Sequence, residues 1–80
     1  MFYVYLLRSM ARTEKTYVGL TEGVEGRLEQ HNNGENPSTA RFRPWELIAF
    51  VAVANRVRAA ELERYFKTGS GHAFARRHLW

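Results

Sequence analysis

Residues 2–8 restrict the fold of this chain more than any other segment. Apart from the last of them, Arg8, all are aromatic or aliphatic. An apolar run without polar alternation is typical of a strand that is buried on both faces. A chain of this length hides roughly 60–65% of its unfolded surface. We therefore expect one domain, residues 1–80, with a modest core around this strand.

Two further strands are predicted. The run 16–20 is short, and its closeness to the first strand favours a hairpin joined by the polar residues 9–15. The apolar run 45–54 predicts a third, well-buried strand. Residues 34–44 contain two prolines, a glycine and small polar residues, so they are predicted to form a loop.

Three helices complete the pattern, at residues 21–33, 56–67 and 72–80. Thr21 and Asn55 are predicted to cap the first two, and Gly34 supplies the left-handed residue that ends the first. Residues 68–71 include two glycines and interrupt the chain before the last helix, which is short and basic. Within the broad α/β class, the order ββαβαα predicts an α+β fold, a small three-stranded antiparallel sheet flanked by helices.

Composition excludes several classes of protein. The chain contains no cysteine, which rules out disulfides and thiolate metal sites and leaves oxygen and imidazole as metal ligands. No apolar run approaches the ~20 residues that span a bilayer, and the N-terminus lacks the leading positive charge of a secretion signal. We therefore expect a cytoplasmic protein that does not insert into membranes.

Charge is distributed unevenly along the chain. Residues 1–40 carry four basic side chains against five glutamates, a net charge of −1, whereas residues 41–80 carry eight against three, a net charge of +5. This concentration predicts a polyanionic partner, nucleic acid first and an acidic protein second. The alternative is an ordinary solvated face. The side chains predicted to contact nucleic acid are Arg41, Arg43, Arg56, Arg58, Lys67, Arg76 and Arg77.

Two basic side chains break the pattern of the first predicted helix. At about 100° per residue, Arg27 and His31 fall on the side of Val24 and Leu28, while the glutamates fall elsewhere. A basic side chain that points inwards is costly unless it has a partner or borders a cleft. The ordinary interpretation is an arginine whose stem covers the core and whose head reaches water. The alternative is a functional site.

In the second predicted helix, residues 56–67, an acidic side chain interrupts the apolar stripe. Glu63 falls in the apolar stripe with Leu62 and Phe66, whereas Glu61 faces away. One interpretation is a surface pair with Lys67 at i,i+4, worth about 0.2–0.5 kcal/mol. The other is a carboxylate in a cleft, where it can hold a hard divalent cation through oxygen.

Tyrosines from both strands of the predicted hairpin can share one face of the sheet. Tyr5 and Tyr17 meet there if the numbers of the residues that pair across the two strands add up to an even number. Gly19, which has no side chain, lets another group approach the sheet closely. Strand tyrosines are more often packing residues with a hydrated hydroxyl. The five residues that could line one concave site are Tyr5, Tyr17, Arg27, His31 and Glu63.

The same residues resemble the motifs of a known family. Tyr3-Val4-Tyr5 and, after eleven intervening residues, Tyr17-Val18-Gly19 resemble the paired motifs of the GIY-YIG nucleases. The likeness keeps order and spacing over essentially the whole chain. It is similar in particular to the small single-domain members and to the cleavage domain of the bacterial excinuclease. It continues through Arg27-Leu28, His31-Asn32-Asn33-Gly34, Ser38-Thr39, Pro44-Trp45, Leu47, Ala59, Glu63, Phe66-Lys67, Gly69-Ser70-Gly71 and Ala73-Phe74.

This resemblance implies a three-stranded antiparallel sheet flanked by helices, and hydrolysis of phosphodiester bonds with a divalent ion, Mg²⁺ or Mn²⁺. It implies that Tyr5 and Tyr17 are active-site tyrosines and that Arg27 contacts phosphate. It also implies that Glu63 binds the metal, that His31 lies near the site, and that the protein serves DNA repair.

The chain departs from the family pattern at two places. The first motif has Tyr3-Val4 where the family has Gly-Ile, although the tyrosine that follows is kept. Many members carry an active-site asparagine near the C-terminus, and residues 68–80 contain none. The second departure bears on how the substrate is positioned.

The expected activity is endonuclease cleavage of nucleic acid, DNA more readily than RNA, with selection of structure rather than sequence. We expect one Mg²⁺ or Mn²⁺ on Glu63, a water near Tyr5 as the nucleophile, and phosphate oxygens on the planar fork of Arg27. Tyr5, Tyr17 or His31 would take the proton of the water. The pKa of a free phenol is near ~10 and that of imidazole near ~6.5, which favours His31 as the final acceptor.

Two other functions remain open at this point. The first is a catalytically silent nucleic-acid-binding module of the same fold. The second is a small basic protein whose partner is another protein. Salt-sensitive binding of nucleic acid without metal-dependent cleavage would identify the first, and the lack of any such binding would favour the second.

Overall fold

The apolar N-terminal run forms the central strand of a three-stranded antiparallel sheet in the computed structural model, which describes all 80 residues. The strands are β1 (Phe2–Ser9), β2 (Thr16–Thr21) and β3 (Trp45–Val53), and they lie in the order β2-β1-β3. The four residues from Val4 to Leu7 are at most 1% exposed. The predicted hairpin and the burial of β1 on both faces are confirmed.

The third strand, β3, is less buried than its apolar sequence predicts. It lies at an edge of the sheet and pairs with β1 alone. Trp45 is its one buried residue, and Phe50 is half exposed. The prediction of a well-buried strand was wrong because an apolar run does not reveal how many neighbours a strand will have.

Four helices complete the fold: α1 (Val24–Asn32), α2 (Pro37–Ala40), α3 (Arg56–Phe66) and α4 (Gly69–His78). The observed order therefore adds one helical turn, α2, to the predicted order ββαβαα. The side chain of Asn36 caps this turn by accepting a hydrogen bond from the backbone of Ser38, and Pro37 occupies its first position. Proline and asparagine are signals for a loop, but they also start helices.

The predicted cap of the first helix, Thr21, belongs instead to the end of β2. Its hydroxyl accepts a hydrogen bond from the backbone N–H of Gly23 and donates to the carbonyl of the same residue. This closes a short turn, and Gly23 becomes the N-cap of α1. The end of the helix is as predicted, since Gly34 adopts φ of 78° just beyond it.

The junction between α3 and α4 is shorter than predicted. Asn55 caps α3, as expected. The Thr68 hydroxyl accepts a hydrogen bond from the backbone of Gly71, so α4 begins at Gly69 rather than at residue 72. A Cβ added to Gly71 would lie 2.8 Å from the Phe66 Cα. The glycine is therefore required for the close packing of α4 on α3.

The two faces of β1 are covered by different helices. Val4 and Leu6 pack in an apolar cluster with Phe66 and other residues of α3 and α4. Tyr5 and Leu7 point to the opposite face and pack with Trp45, against side chains of α1. None of the helices is long and apolar enough to cross a membrane. The face that carries Tyr5 holds most of the predicted site residues.

Candidate functional site

Two tyrosines of the hairpin lie side by side on the α1 face of the sheet. In the register of β1 and β2, Tyr5 pairs with Gly19 and Leu7 pairs with Tyr17, so the tyrosines are diagonal neighbours. Their ring centroids are 6.2 Å apart. The ring of Tyr5 lies over Gly19, where an added Cβ would be 2.5 Å from the Tyr5 Cζ. The predicted close approach at Gly19 is confirmed, and Tyr5 is the group that approaches.

His31 connects the sheet to α2 on this face. It lies in the last turn of α1 and is 1% exposed. Its Nε2 is 2.9 Å from the Tyr5 hydroxyl, and its Nδ1 is 2.7 Å from the Thr39 hydroxyl. The Thr39 hydroxyl itself donates a long hydrogen bond, 3.4 Å, to the carbonyl of Asn36. The hydrogens can therefore run in one direction, from Tyr5 to Nε2 and from Nδ1 to Thr39.

Burial moves the pKa values of this pair apart. Burial, followed by the neighbouring Tyr17, raises the pKa of Tyr5 to about 12, against the lowering effect of the Arg27 guanidinium. Burial and then Arg27 lower the pKa of His31. At neutral pH Tyr5 is a phenol and His31 is a neutral imidazole. Both shifts oppose the transfer of a proton from Tyr5 to His31 at rest.

Solvent reaches Tyr17 rather than Tyr5. The Tyr5 side chain is 1% exposed and its hydroxyl is bonded to His31. Tyr17 is half-buried, and its hydroxyl makes no hydrogen bond within the protein. Its ring stands edge-on to the His31 ring, with centroids 4.9 Å apart. A water molecule near Tyr5 was expected to be the nucleophile, but the accessible phenol is that of Tyr17.

Arg27 lies beside the tyrosines on the inner side of α1. It is half-buried, as the helical periodicity predicts, and it forms no salt bridge with a carboxylate. Its positive charge acts on the pKa values of both Tyr5 and His31, which places the guanidinium close to both rings. A cation without a counter-ion at the mouth of a site is suited to bind an anion such as phosphate.

Glu63 approaches the same region from α3. The charge of its carboxylate contributes to the raised pKa of Tyr5. The side chain is 24% exposed, and its carboxylate is 3.2 Å from the Nζ of Lys67. The i,i+4 pair and the inward placement, which were alternatives in the sequence, are both present. No group of three or more potential metal ligands occurs, so Glu63 is a single carboxylate.

The seven basic residues predicted to contact nucleic acid are all exposed but do not form one patch. Arg58 pairs with Glu61, and Lys67 pairs with Glu63, each at 3.2 Å. These two cations are partly neutralised by their own helix. The positive charge of the second half of the chain therefore does not act as one uniform surface.

The unpaired members of this set lie at opposite ends of β1. Arg56 lies over the ring of Phe2, 5.7 Å from its centroid, where β1 begins. Arg41 lies over the ring of Phe42, 5.2 Å from its centroid, in the segment that leads into β3. Arg43 follows it and rests against Gly34.

The other two unpaired cations of this set lie on α4. Arg76 lines a shallow pocket beside Arg8, on the face of the sheet opposite the tyrosines. Arg77 is exposed in the last turn of α4.

The largest surface cavity, about 430 Å³, lies at the N-terminus of α1, and none of the five predicted site residues lines it. Tyr3, Leu47 and Phe50 form its apolar wall, and Glu22 and Glu25 stand at its rim. Two carboxylates at the rim repel phosphate. This cavity is therefore not part of an anion-binding site.

Sequence reasoning missed two residues that position the site. Thr39 is 2% exposed and holds Nδ1 of His31, while its carbonyl accepts a hydrogen bond from the indole of Trp45 at 2.9 Å. Asn32 joins the end of α1 to the start of β3 through two hydrogen bonds with the backbone of Trp45, at 3.1 and 2.6 Å. Both lie within segments that resemble the family, which was the available signal, but nothing in the pattern indicated their partners.

Comparison with known proteins establishes the class. The family model described as the GIY-YIG catalytic domain matches residues 1–75. The chain therefore belongs to the GIY-YIG family, and its three-stranded antiparallel sheet with flanking helices is the fold of that family.

The curated relatives narrow the class further. The chain is 40% identical over 65 residues to the structure-specific endonuclease subunit SLX1 of Paracoccidioides brasiliensis, covering 74% of this chain and 15% of that protein. For SLX1 of Debaryomyces hansenii the identity is 46% over 57 residues, 62% of this chain and 16% of the relative. For SLX1 of Candida dubliniensis the identity is 31% over 86 aligned positions, which cover 98% of this chain and 29% of the relative.

The chain spans less than a third of the length of these relatives. The predicted likeness to the cleavage domain of the bacterial excinuclease was more specific than these findings support. The family is confirmed, and the relatives found are structure-specific endonuclease subunits.

Proposed function

We propose that residues 1–80 form a single catalytic domain that hydrolyses phosphodiester bonds in nucleic acid, DNA in preference to RNA, and selects structure rather than sequence. The proposal is carried by the hydrogen-bonded chain of Tyr5, His31 and Thr39, which lies beneath the solvent-facing Tyr17 and beside the unpaired Arg27. The family match over residues 1–75 and the names of the relatives support the same reaction.

Arg27 binds the non-bridging oxygens of the scissile phosphate. Its guanidinium offers a planar fork of donors that fits phosphate in a bidentate manner. Since no carboxylate competes for it, the full positive charge is available to the charge that develops as the phosphate is attacked. Arg41 and Arg43 contact the backbone from the same side of the sheet. Contacts by Arg56, Arg58, Lys67, Arg76 and Arg77 stay predictions from charge.

Tyr17 orients the attacking water so that it also contacts the Tyr5 hydroxyl at the inner end of the site. As the water oxygen attacks phosphorus and the P–O bond to the leaving sugar oxygen breaks, the water gives its proton to Tyr5, and Tyr5 gives its own proton to Nε2 of His31. His31 has no nitrogen free for a direct contact with water, because Tyr5 and Thr39 occupy both. Transfer at rest is unfavourable, because burial raises the pKa of Tyr5 and lowers that of His31. The proton therefore moves together with the attack rather than before it.

Glu63 would hold a single divalent ion, Mg²⁺ or Mn²⁺. Its carboxylate is a hard oxygen ligand at the edge of the site, and Mg²⁺ is commonly held by one or two carboxylates together with substrate phosphates. When bound, the ion supplies Lewis-acid stabilisation of the phosphate. A bound ion would compete with Lys67 for the Glu63 carboxylate.

The test compares cleavage by the wild-type chain with cleavage by Glu63→Ala and Arg27→Ala. Labelled duplex, nicked, flapped, branched and single-stranded DNA and RNA are incubated with Mg²⁺, Mn²⁺ or EDTA. Cleavage is expected to require the metal, to prefer a branched or flapped DNA, and to disappear in both variants. Glu61→Ala is the matched control, because Glu61 lies on the same helix and pairs with Arg58 in solvent.

Cleavage that survives Glu63→Ala would contradict the proposed site. Salt-dependent binding on every substrate without cleavage would instead identify a catalytically silent binding module. The observation that favours this second function is the lack of asparagine in residues 68–80, where many family members carry one.

A further inference from the structure

We propose that two loops at one end of the sheet form a binding surface for the sugar–phosphate backbone, built from Lys15, Phe42 and Arg41. We call these three residues the Lys15–Phe42–Arg41 surface. The inference deepens the proposed function, since it names the contact through which the substrate strand is held beside the tyrosines. Lys15 stands outside the basic half of the chain and was not among the predicted contacts.

The surface consists of two cations on one aromatic ring. The Nζ of Lys15 and the Cζ of Arg41 each lie 5.2 Å from the centroid of the Phe42 ring, so the charges are at most about 10 Å apart. Both side chains are exposed, and neither forms a salt bridge. The repulsion of two such charges in water is about 0.4 kcal/mol at 10 Å and about 0.8 kcal/mol at 5 Å, so the pair is tolerated without a ligand. An anion that contacts both gains from the two charges at once.

Hydrogen bonds hold the two loops as one unit. The buried Ser9 hydroxyl donates to the carbonyl of Phe42 at 2.5 Å and accepts from the backbone N–H of Arg12 at 2.9 Å. The N–H of Met10 donates to the carbonyl of Pro44 at 2.8 Å. The loop that carries Lys15 is thereby fixed to the segment that carries Arg41. A pre-organised surface loses little conformational freedom when it binds.

This surface is continuous with the candidate site. The Phe42 ring packs against the cluster of Tyr5, Leu7 and Trp45, and Tyr17 packs against the same cluster. Lys15 precedes Tyr17 by two residues. A strand that lies with one phosphate at Arg27 can therefore continue across the two loops.

The chemistry of the surface selects the backbone rather than the bases. The Phe42 ring is half-buried and carries the two cations, so it holds them in place instead of stacking on a base. Ammonium and guanidinium groups contact phosphate oxygens without reading sequence. On the same face of the sheet, Glu22 and Glu25 line the cavity at the start of α1 and repel the backbone. The strand therefore leaves across the two loops.

The experiment measures binding alone. Fluorescence anisotropy of labelled branched, duplex and single-stranded DNA is recorded in EDTA, at several salt concentrations between about 50 and 200 mM, conditions over which phosphate contacts are strongly screened. The variants are Lys15→Ala, Arg41→Ala, their double mutant, and the charge-conserving Lys15→Arg and Arg41→Lys. Arg64→Ala is the control, because Arg64 is exposed on α3, forms no salt bridge and has no part in the surface.

Each single variant is expected to weaken binding about 3- to 10-fold at about 100 mM salt and to lower the slope of log K against log salt by about 0.7–0.9. The double mutant should lower the slope by about twice that amount, and the charge-conserving variants should restore it. Arg64→Ala should lower affinity less than either variant. Unchanged slopes, or an equal effect of Arg64→Ala, would overturn the proposal.

A competition arm distinguishes nucleic acid from an acidic protein partner. Poly-glutamate of matched charge is titrated against the bound labelled DNA. Weak displacement supports a phosphate surface, whereas displacement equal to that by unlabelled DNA would overturn the proposal. Because no metal is present, failure of this test leaves cleavage intact. Failure of the nuclease proposal likewise leaves this binding measurement interpretable.

Discussion

The two faces of β1 are built from neighbouring residues of one strand, yet they differ in chemistry. On the α3 and α4 face, Val4 and Leu6 lie in a cluster that is apolar throughout. On the α1 and α2 face, Tyr5 lies in a network whose other members include the buried His31 and Thr39. Because alternate residues of a strand point to opposite faces, stability and chemistry are separated within a single strand. We call these the apolar face and the polar face.

Every buried polar side chain of the polar face has a partner. The Tyr5 hydroxyl, both nitrogens of His31 and the Thr39 hydroxyl are bonded to one another, and the Trp45 indole donates to the Thr39 carbonyl. A buried polar group without a partner costs about 1–3 kcal/mol. The network is therefore stable only as a whole, whereas the apolar face can lose one methyl group and still pack.

The largest difference between the faces should appear when His31 is replaced. His31→Ala is expected to lower kcat about 10²–10⁴-fold, the range of general acid–base catalysis. The wild-type rate should fall at acidic pH, below the usual titration range of imidazole, because burial and Arg27 lower the pKa of His31 and protonated His31 cannot accept the Tyr5 proton. This acidic limb should be absent in the variant. The measurement is kcat at saturating substrate between about pH 5 and 8.5, a range that spans the titration of imidazole.

His72→Ala is the control, since His72 is exposed on α4. It should keep the wild-type rate and pH profile. If His31→Ala kept the acidic limb, the route of the proton through Tyr5 to His31 would be wrong.

Leu6 and Leu7 provide the matched pair for stability, because both are fully buried and they point to opposite faces. Leu6→Ala and Leu7→Ala should each lower the free energy of unfolding by about 2–5 kcal/mol. Only Leu7→Ala should also lower kcat, because Leu7 supports Tyr5 and Trp45. Urea denaturation and single-turnover cleavage at low temperature measure the two effects. Equal kcat values for the two variants would show that stability and catalysis are not separated between the two faces. Leu6→Val and Leu7→Val test the same contrast with a smaller loss of stability.

Much of this arrangement could be predicted from the sequence, because it depends on local periodicity. The apolar run of β1, the inward placement of Arg27 and His31 on α1, and that of Glu63 on α3 follow from 2-residue and 3.6-residue repeats. The residues that hold these side chains in place could not be predicted. Thr39 meets His31 only because α2 forms, and the proline and asparagine that start α2 are equally typical of a loop.

Charge was the least reliable guide to position. The basic half of the chain suggested one surface, but Arg58 and Lys67 pair with glutamates of their own helix. Lys15, from the half with net negative charge, lies over the same Phe42 ring as Arg41 because Ser9 joins the two loops. Contacts between residues distant in the chain depend on tertiary hydrogen bonds that no local pattern records.

Thr39 tests whether the polar face acts as one unit. Thr39→Val keeps the shape of the side chain but removes the acceptor of the His31 Nδ1 hydrogen, so we expect a loss of about 1–3 kcal/mol in stability. The tautomer of His31 should no longer be fixed, which ¹⁵N chemical shifts of the ring would report. Thr39→Ser retains the hydroxyl and should restore both. A Val variant with wild-type stability and an unchanged tautomer would contradict this role.

The smallest expected effect is the dependence of stability on pH. The pKa of His31 is lowered in the folded state, chiefly by burial. Below about pH 6.5, the ordinary pKa of imidazole, the unfolded chain therefore binds a proton that the folded chain does not bind. Where the unfolded state binds more protons, the free energy of unfolding falls as the pH falls, by up to about 1.4 kcal/mol per pH unit for one group. Urea midpoints at pH 7, 6 and 5 should therefore decrease more for the wild type than for His31→Gln, which cannot titrate. His72→Gln is the control for the substitution itself, because His72 is exposed on α4. If the wild type and His31→Gln fell in parallel, the acid sensitivity would come from elsewhere and the polar face would not be the part of the fold that loses stability first on acidification.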